Sequence, residues 1–498
     1  MIRDTLVPFS KTSVLIVGGG TTGLTTALLL ARYGLTVMIV ERHHHRSGQP
    51  KAHAINPRLL EIFRQIGLDT TRLRKSGVSP EDGDTVRFVV SMAGKEHATL
   101  PYERQGPETF EITPEPLFNI PQPSLEDFLI RAVESNENIT FYRGVQWESC
   151  SQLELGVLSS NIRKMVTGAL MVVESAYVLD CGGANSRARD LLGIPFSPLP
   201  QYVQKEVHHL SVHFNADLTR FNPGTLWWIS SPRADGTVIC YDRAYDWIFV
   251  TYYNPKTTSP NKFTEHYCRE LIDNMPFHPR EVFGVNTGIA DAQNLAWKIH
   301  AVERRWAEEA ILSTYSEKRR PVAVANAYQS VKNQIQSFGR LDHVKEKLDC
   351  ELRANAEHFD SIRLQIGYRY GEDEVPDEPC DYYSPSNKPG SRLVHAWISV
   401  AGQWLSTLDL VDGMSFVLLL SDHSARALAD AVRSINLPVI IYTLCMGSDF
   451  VVLNASWAST VGLSRPASGL LVRPDQHILG NVTSVENIER LLAACLCS

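Results

Sequence analysis

Three glycines near the start of the chain have the spacing that binding of a diphosphate requires. Gly18, Gly20 and Gly23 form a Gly-x-Gly-x-x-Gly pattern, and Glu41 lies 18 positions after Gly23. The first glycine permits a tight turn, the second lets the backbone approach a pyrophosphate, and the third lets a helix pack closely on a strand. Glu41 is placed to accept hydrogen bonds from the ribose hydroxyls of an adenosine. The pattern predicts a dinucleotide-binding turn; a glycine-rich turn of an unrelated α/β protein is the alternative.

The residues around this pattern predict the βαβ unit that would position it. Residues 13–17 (SVLIV) are a short apolar run typical of a buried strand, and residues 24–31 (LTTALLLA) are good helix formers. Gly34 stands where a left-handed residue ends a helix, and residues 37–40 (VMIV) predict a second buried strand that finishes on Glu41. The N-terminus of the helix would then face the negative charge of the diphosphate.

Length and composition limit the other possibilities. At 498 residues the chain exceeds what one hydrophobic core usually supports, so two or three domains are expected. The formal net charge of −7 argues against nucleic acid or an anionic membrane as a partner. No run approaches the roughly 18 apolar residues of a membrane span. The nine cysteines show no disulfide-like spacing and no apolar signal core begins the chain, so we expect a cytoplasmic protein with small-molecule ligands.

The segment after Glu41 distinguishes a flavin site from a nicotinamide site. Simple dehydrogenases continue with another βα unit, whereas here residues 42–53 form a long polar loop and residues 59–68 (LLEIFRQIGL) predict a helix. This order resembles the group A FAD-dependent aromatic hydroxylases, in the branch of phenol and polyketide hydroxylases, where the loop and helix border the flavin. The resemblance implies FAD as the cofactor. Thr22, inside the glycine turn, and Arg42, directly after Glu41, are further candidate FAD ligands.

Two downstream segments extend the resemblance, with one departure. Residues 120–126 (IPQPSLE) are similar to the family segment whose glutamine contacts the flavin, which makes Gln122 a candidate ligand. Residues 178–189 (VLDCGGANSRAR) are similar to the family's Asp-Gly fingerprint, but Gly182 stands at the position of the fingerprint aspartate. In the family this acid organises hydrogen bonds between the flavin and nicotinamide regions. Its replacement argues against NAD(P)H, the reductant that the resemblance otherwise implies.

A third segment predicts the helix that faces the flavin. Residues 283–298 (FGVNTGIADAQNLAWK) are similar to that family helix, and either Asn286 or Thr287 would cap it; both are candidate FAD ligands. A helix N-terminus carries about half a positive charge. Pointed at the isoalloxazine, it would stabilise the anion that accumulates when the flavin is reduced.

The interval before this helix is shorter than the family pattern requires. Relatives have a Gly-Asp fingerprint there, whose aspartate binds the ribityl hydroxyls, but residues 254–282 contain no Gly-Asp pair. The last strands of the substrate sheet are also expected to be missing, which would leave sheet edges that something must cover. A deletion, a misassembled gene model and a repurposed scaffold would each produce this sequence. A binding or non-redox protein on a degraded flavin scaffold is therefore the alternative to an active enzyme.

Together the segments predict an α/β fold of three parts. A Rossmann-like FAD-binding domain carries an inserted antiparallel β substrate domain. A C-terminal thioredoxin-like domain is implied by the similarity of residues 390–397 and 471–475 to the phenol hydroxylase branch. The expected boundaries are 1–84 with 112–202 and 283–345 for the FAD-binding domain, 85–111 with 203–282 for a truncated substrate domain, 346–389 for a linker and 390–498 for the thioredoxin-like domain.

The remaining candidates have simpler interpretations. Aromatic residues crowd positions 227–253 and could line a pocket for an aromatic substrate, but aromatics at period two are more often sheet core. Residues 43–45 are three adjacent histidines without carboxylate or cysteine partners, so no metal site is predicted. Cys495 and Cys497 could bind metal or oxidise, although a frayed tail is the simpler interpretation.

The function that follows is FAD-dependent hydroxylation of a phenolic or polyketide-type aromatic substrate with NAD(P)H and O2, in specialised metabolism. The resemblance identifies no catalytic base. A homodimer is compatible with the sequence.

Overall fold

The fold is described for seven stretches of the chain. The computed structural model describes residues 10–45, 53–195, 208–231, 234–273, 284–336, 359–371 and 379–497. The helices are α1 Thr21–Arg32, α2 Pro57–Gln65, α3 Thr70–Arg74, α4 Pro80–Gly83, α5 Gln122–Glu134, α6 Arg187–Leu191, α7 Glu265–Asp273, α8 Gly284–Glu303, α9 Thr314–Gln336, α10 Ile362–Ile366, α11 Arg426–Ser434, α12 Trp457–Thr460 and α13 Val485–Leu496.

The described strands form two six-stranded sheets, one four-stranded sheet, one three-stranded sheet and one two-stranded pairing. They are β1 Ser10–Val17, β2 Val37–Glu41, β3 Ala54–Ile55, β4 Thr85–Val89, β5 Glu96–Pro101, β6 Phe118–Asn119, β7 Ile139–Arg143, β8 Val145–Glu154, β9 Val157–Lys164, β10 Leu170–Asp180, β11 His208–Asn215, β12 Leu226–Ser231, β13 Ala234–Asp242, β14 Asp246–Tyr253, β15 Trp397–Val400, β16 Gln403–Ser406, β17 Phe416–Leu420, β18 Ile441–Cys445, β19 Val451–Val452, β20 Gly469–Val472 and β21 Ile478–Val482.

The first sheet is a Rossmann-like layer around the glycine turn. Its order is β7-β2-β1-β10-β9-β8, in which β7, β2, β1 and β10 run parallel and β9 and β8 are added antiparallel. Val14 and Ile16 are fully buried in the cluster on one face and Leu15 in the cluster on the other, as expected for parallel strands covered on both faces. Helix α1 packs against α5 and α8. This layer confirms the predicted βαβ unit.

The second sheet is formed by the predicted substrate domain. Its order is β11-β14-β13-β12-β4-β5. Neighbouring strands are antiparallel except β12 and β4, which are parallel. The sheet is therefore mixed rather than wholly antiparallel, because the β4-β5 hairpin comes from an earlier part of the chain and joins the side of a later meander. Trp227, Trp247 and Phe249 are at most 1% exposed, so these aromatics are sheet core rather than pocket wall.

The C-terminal domain has a four-stranded thioredoxin-like sheet with the order β18-β17-β20-β21. Side chains of β17 alternate, so that Phe416 and Leu418 join the core of the FAD-binding domain while Val417 and Leu419 belong to the domain's own core. The frayed tail expected around Cys495 is wrong, because this residue lies buried in α13. None of the helices in the described stretches is long and apolar enough to cross a membrane.

Part of the predicted linker is packed into the fold. Phe359 belongs to the core of the substrate sheet, and every residue of α10 is buried. The backbone N–H of Ser361 donates to Glu103 Oε2 at 2.9 Å, and its hydroxyl donates to Glu103 Oε1 at 2.8 Å. These contacts connect residues separated by more than 250 positions, which local sequence patterns do not encode. Residues 359–366 therefore act as a packed support for the substrate sheet.

A buried arginine joins α2 to the C-terminal domain. Arg58 is 2% exposed, and its guanidinium donates to Glu61 Oε2, Gln293 Oε1, Gln476 Oε1 and the carbonyl oxygen of Asp475 at 2.8 to 3.0 Å. A buried charge is tolerated when it is paired and hydrogen-bonded; here both Nη atoms of Arg58 are bonded, whereas its Nε has no partner among the described residues. The two domains thus share one hydrogen-bonded network.

Lys298, on α8, is buried near the same interface without a hydrogen-bond partner. Its side chain is fully covered, and no described residue accepts a hydrogen bond from its Nζ atom. Burial, together with the nearby cations Lys318 and Arg473, lowers the pKa of Lys298 to about 6. The amine is therefore mostly neutral in the folded protein near pH 7.

Replacing Lys298 with methionine is expected to stabilise the protein at pH 7 by a few kcal/mol, and the gain should shrink as the pH rises. Between the folded pKa of about 6 and the ordinary lysine value of 10.5, the unfolded chain binds a proton that the folded chain lacks. Wild-type stability therefore rises with pH, by about 1.4 kcal/mol per pH unit, relative to the variant. Denaturant unfolding at pH 7 and pH 9 measures the difference. The exposed Lys95→Met variant is the control, and parallel pH profiles for wild type and Lys298→Met would contradict the prediction.

Candidate functional site

The glycine turn after β1 brings backbone atoms of three segments into close contact. Gly18 has a φ of 106°, in the left-handed region, and a Cβ there would lie 2.6 Å from the carbonyl oxygen of Cys181. A Cβ on Gly23 would overlap the carbonyl oxygen of Gly18. Both positions therefore require glycine, the first for its conformation and the second for its close approach.

Gly20 and the start of α1 leave room for an anion. A Cβ on Gly20 would meet no heavy atom within 4 Å, and its φ of −77° does not require glycine. No side chain caps α1, and its first turn contains no acidic residue. The first N–H groups of a helix have no acceptor within the helix, which makes an uncapped N-terminus a favourable position for phosphate.

The carboxylate of Glu41 lies directly at the turn. The backbone N–H groups of Gly19 and His43 donate to its two oxygens at 2.9 and 2.8 Å. A carboxylate offers about four acceptor positions, so acceptor capacity remains for ribose hydroxyls. Phe141, on β7, packs against the same turn, and a Cβ on Gly19 would lie 2.8 Å from its ring. The sequence carried no signal for Phe141, because it reaches the turn through the pairing of β7 with β2.

The start of α8 lies beside the start of α1. A Cβ on Gly288 would overlap the hydroxyl oxygen of Thr22, so the second residue of α1 contacts the fifth residue of α8. Two helix N-termini with favourable dipoles for negative charge therefore converge on one region. This places Thr22, Gly288 and the glycine turn together.

The side chains of Asn286 and Thr287 hold neighbouring segments. Asn286 Oδ1 accepts from the N–H of Asn56 at 3.0 Å, and Thr287 Oγ1 accepts from Asn326 Nδ2 at 3.0 Å. The expectation that Asn286 or Thr287 caps α8 is wrong, because the helix already includes Gly284 and both residues lie inside it. Their partners are 230 and 39 positions away in the chain, so packing decides these bonds.

The loop that follows β10 carries the fingerprint segment. We call residues 180–186 the fingerprint loop. Asp180 Oδ1 accepts from the N–H of Gly182 at 2.8 Å, and the second carboxylate oxygen accepts from the Ser186 hydroxyl. The N–H of Cys181 donates to the carbonyl of Val17 at 2.7 Å, which attaches the loop to the end of β1.

Gln122 and Arg42 form their described bonds with sequence neighbours. Gln122 is the first residue of α5, and its amide donates to Glu126 Oε1 at 2.7 Å. Arg42 is exposed, and its Nε donates to His43 Nε2 at 3.1 Å. Neither bond joins these residues to the glycine turn, so their roles stay predictions. Among the described residues, no three His, Cys, Asp or Glu side chains are grouped so that they could hold a metal ion.

His53, the last residue of the predicted polar loop, is buried against the substrate sheet. His53 Nε2 is 2.9 Å from the hydroxyl of Tyr102, and its ring contacts Tyr241 edge-on with 6.3 Å between centroids. The carbonyl of Ala54 accepts from Asn286 Nδ2 at 3.2 Å, which ties this strand to α8. Burial lowers the pKa of His53 to about 4, so the imidazole is neutral near pH 7. Tyr102 is 49 positions away, which explains why the pair was missed.

Family models match most of the chain. Residues 11–277 and 276–330 match the FAD binding domain family, and residues 386–495 match the family described as aromatic-ring hydroxylase, C-terminal. The first match is divided at residues 276–277, inside the interval that lacks a Gly-Asp pair. Residues 274–283 lie outside the described residues, so the expected loss of strands there stays a prediction.

Curated relatives match nearly end to end. Tetracenomycin A2 monooxygenase-dioxygenase of Streptomyces glaucescens is 28% identical, over 93% of this chain and 92% of the relative. A putative polyketide hydroxylase of Streptomyces halstedii is 27% identical, over 94% and 93%, and 2,4-dichlorophenol 6-monooxygenase of Cupriavidus pinatubonensis is 24% identical, over 95% and 94%. The alignment with the first extends over 537 positions, more than the 498 residues of this chain, so that relative has residues without a counterpart here.

Two solved structures have the same fold. The flavin-dependent monooxygenase PieE, in complex with FAD and substrate, superposes with a TM-score of 0.87 at 23% identity, covering 98% of this chain and all of the other. The aklavinone-11 hydroxylase, in a ternary complex with FAD and aklavinone, superposes with a TM-score of 0.81 at 23% identity, covering 97% and 99%. The three-part architecture is therefore shared along the whole chain.

Proposed function

Because the chain belongs to the FAD-dependent aromatic-ring hydroxylases, we propose that it hydroxylates a phenolic or polyketide-type aromatic substrate with NAD(P)H and O2. The observation that carries the proposal is the convergence of the glycine turn, Glu41 and the N-terminal part of α8 on one region of this fold. The relatives named as tetracenomycin and polyketide enzymes support a substrate of specialised metabolism. A cytoplasmic location, a homodimer and the domain boundaries given above stay predictions.

The described residues fit the adenosine diphosphate half of FAD. The space above Gly20 admits a diphosphate, the uncapped N-terminus of α1 offers N–H donors, and Glu41 retains acceptor capacity for ribose hydroxyls. Residues 254–282 lack the Gly-Asp pair that the family resemblance places there to bind the ribityl hydroxyls, so we propose that FAD is held mainly through its adenosine half. The residues that we propose to hold FAD are Gly18, Gly20, Thr22, Gly23, Glu41, Arg42, Gln122, Asn286 and Thr287.

The protein would orient the reacting groups and exclude water. When bound, FAD would accept a hydride from NAD(P)H and activate oxygen for transfer to the aromatic ring. The N-terminus of α8 would stabilise negative charge on the reduced isoalloxazine. The aromatic core of the substrate sheet adds apolar surface next to His53, and the neutral His53 imidazole adds no charge there near pH 7.

Absorption spectroscopy and turnover test the proposal. Protein reconstituted with FAD is expected to be yellow, to consume NAD(P)H faster when a phenolic substrate is added, and to yield a product heavier by one oxygen atom. A protein that takes up no FAD would contradict the proposal. Bound FAD that NAD(P)H never reduces would instead favour a non-redox protein on the same scaffold.

A further inference from the structure

The fingerprint loop contains a glycine that its backbone does not require. Gly182 has a φ of −70° and a ψ of −2°, an ordinary right-handed conformation that any residue adopts. A Cβ at this position would lie 2.8 Å from Asp180 Oδ1 and 3.5 Å from the Cα atom of Ser186. A side chain at position 182 would therefore require the carboxylate of Asp180 to shift. Glycine at 182 is explained by Asp180 and not by backbone strain.

The carboxylate of Asp180 holds both ends of the fingerprint loop. One oxygen accepts from the Gly182 N–H at 2.8 Å, and the other accepts from the Ser186 hydroxyl. Ser186 is buried, and its Oγ atom accepts in turn from the N–H of Arg189 at 2.9 Å, which caps α6. Hydrogen bonds to a charged acceptor are about twice as strong as neutral ones. Removing the carboxylate would take away the acceptor shared by Gly182 and by Ser186, the residue that caps α6.

The fingerprint loop in turn supports the glycine turn. The N–H of Cys181 donates to the carbonyl of Val17 at 2.7 Å. A Cβ on Gly18 would lie 2.6 Å from the carbonyl oxygen of Cys181. A Cβ on Gly23 would lie 3.4 Å from the Cβ atom of Cys181. With so little space on this side, a shift of the loop must move the turn that faces the diphosphate.

We propose that Asp180 supplies, from two positions earlier in the chain, the carboxylate that Gly182 lacks, and that it positions the fingerprint loop against the FAD-binding turn. This inference rests on the proposed function, because it assigns Asp180 to the same FAD site. Asp180 is a positioning residue that acts through the loop. A carboxylate therefore lies beside position 182 although residue 182 itself has none, which weakens the argument from Gly182 against NAD(P)H as the reductant.

Moving the carboxylate back to position 182 tests the proposal. Asp180→Ala is expected to weaken FAD binding about tenfold, and Gly182→Asp alone is also expected to weaken it, because two carboxylates would compete for one space. The double variant D180A/G182D is expected to recover FAD affinity to within about threefold of wild type, as in a double-mutant cycle between coupled residues. FAD fluorescence quenching gives the dissociation constant, and stopped-flow reduction gives the rate with saturating FAD and NAD(P)H.

Controls separate a positioning role from a general loss of structure. Asp190→Ala removes an exposed acid from α6 and should leave FAD affinity unchanged. If Asp180→Ala unfolds, the isosteric Asp180→Asn variant replaces it, with an expected loss of about threefold to tenfold and with thermal unfolding of the FAD-free protein as a second measurement. Unchanged affinity in the single variants, or a double variant no better than Asp180→Ala, would overturn the inference. Wild-type protein that binds no FAD would overturn the proposed function, and the inference with it.

Discussion

Alanine at position 20 is expected to weaken FAD binding by at least about tenfold, while the free energy of unfolding of the FAD-free protein changes by no more than about 1 kcal/mol, because Gly20 is only the N-cap of α1. The added methyl group would meet no protein atom within 4 Å, and the backbone there has an ordinary φ of −77°. It would, however, enter the space in which a diphosphate approaches the backbone. FAD titration by fluorescence quenching and thermal unfolding of the FAD-free protein measure the two quantities separately.

Gly23→Ala is the matched contrast. A Cβ on Gly23 would overlap the carbonyl oxygen of Gly18, so this variant is expected to lose both stability and FAD affinity. The same chemical change, three positions apart, thus separates a glycine needed for the ligand from one needed for the fold. A Gly20→Ala protein that bound FAD as tightly as wild type would show that no diphosphate lies against this backbone, and the proposed adenosine site would be wrong.

Arg58→Met is expected to lower the free energy of unfolding by about 3 to 5 kcal/mol. Methionine retains most of the apolar volume, but it removes the donors that satisfy Glu61, Gln293, Gln476 and the Asp475 carbonyl. Glu61 is itself 1% exposed, so a buried carboxylate would lose one of its partners. Urea unfolding monitored by tryptophan fluorescence measures the loss.

Arg64→Met provides the control for this effect. Arg64 also lies on α2 and also reaches the C-terminal domain, donating to both oxygens of Asp409 at 2.7 and 2.8 Å. Its side chain is 31% exposed, so water screens the pair and we expect a loss of only about 1 kcal/mol. Equal losses in the two variants would show that burial of Arg58 does not set the strength of this domain contact.

The candidate FAD site was predictable where neighbouring residues determine the geometry. The glycine turn, α1 and the strand ending at Glu41 follow from hydrophobic periodicity and from glycine spacing within one short βαβ unit. The distance along the chain from Gly23 to Glu41 is covered by one helix and one strand, so their regular geometry places the carboxylate at the turn. The contact between Glu41 and the N–H of Gly19 agrees with that expectation.

Other parts of the site depend on residues far apart in the chain. Neither helix capping rules nor family similarity predicted that Asn286 bonds to residue Asn56 or that Thr287 bonds to Asn326. His53 looked like part of a solvated loop until the substrate sheet placed Tyr102 and Tyr241 against it. Residues 359–366 looked like linker because their buried partners, such as Glu103, lie in another domain.

The amino-acid sequence by itself determined the βαβ unit, the order of the three domains and the family, because these depend on local periodicity and on motifs that remain intact. Only the tertiary structure showed that the carboxylate of Asp180 lies beside the position that a side chain at 182 would take, because local sequence patterns do not give the direction of the Asp180 side chain. The direction of a side chain depends on the backbone conformation and on the packing around it. For this reason a carboxylate from residue 180 can lie next to residue 182.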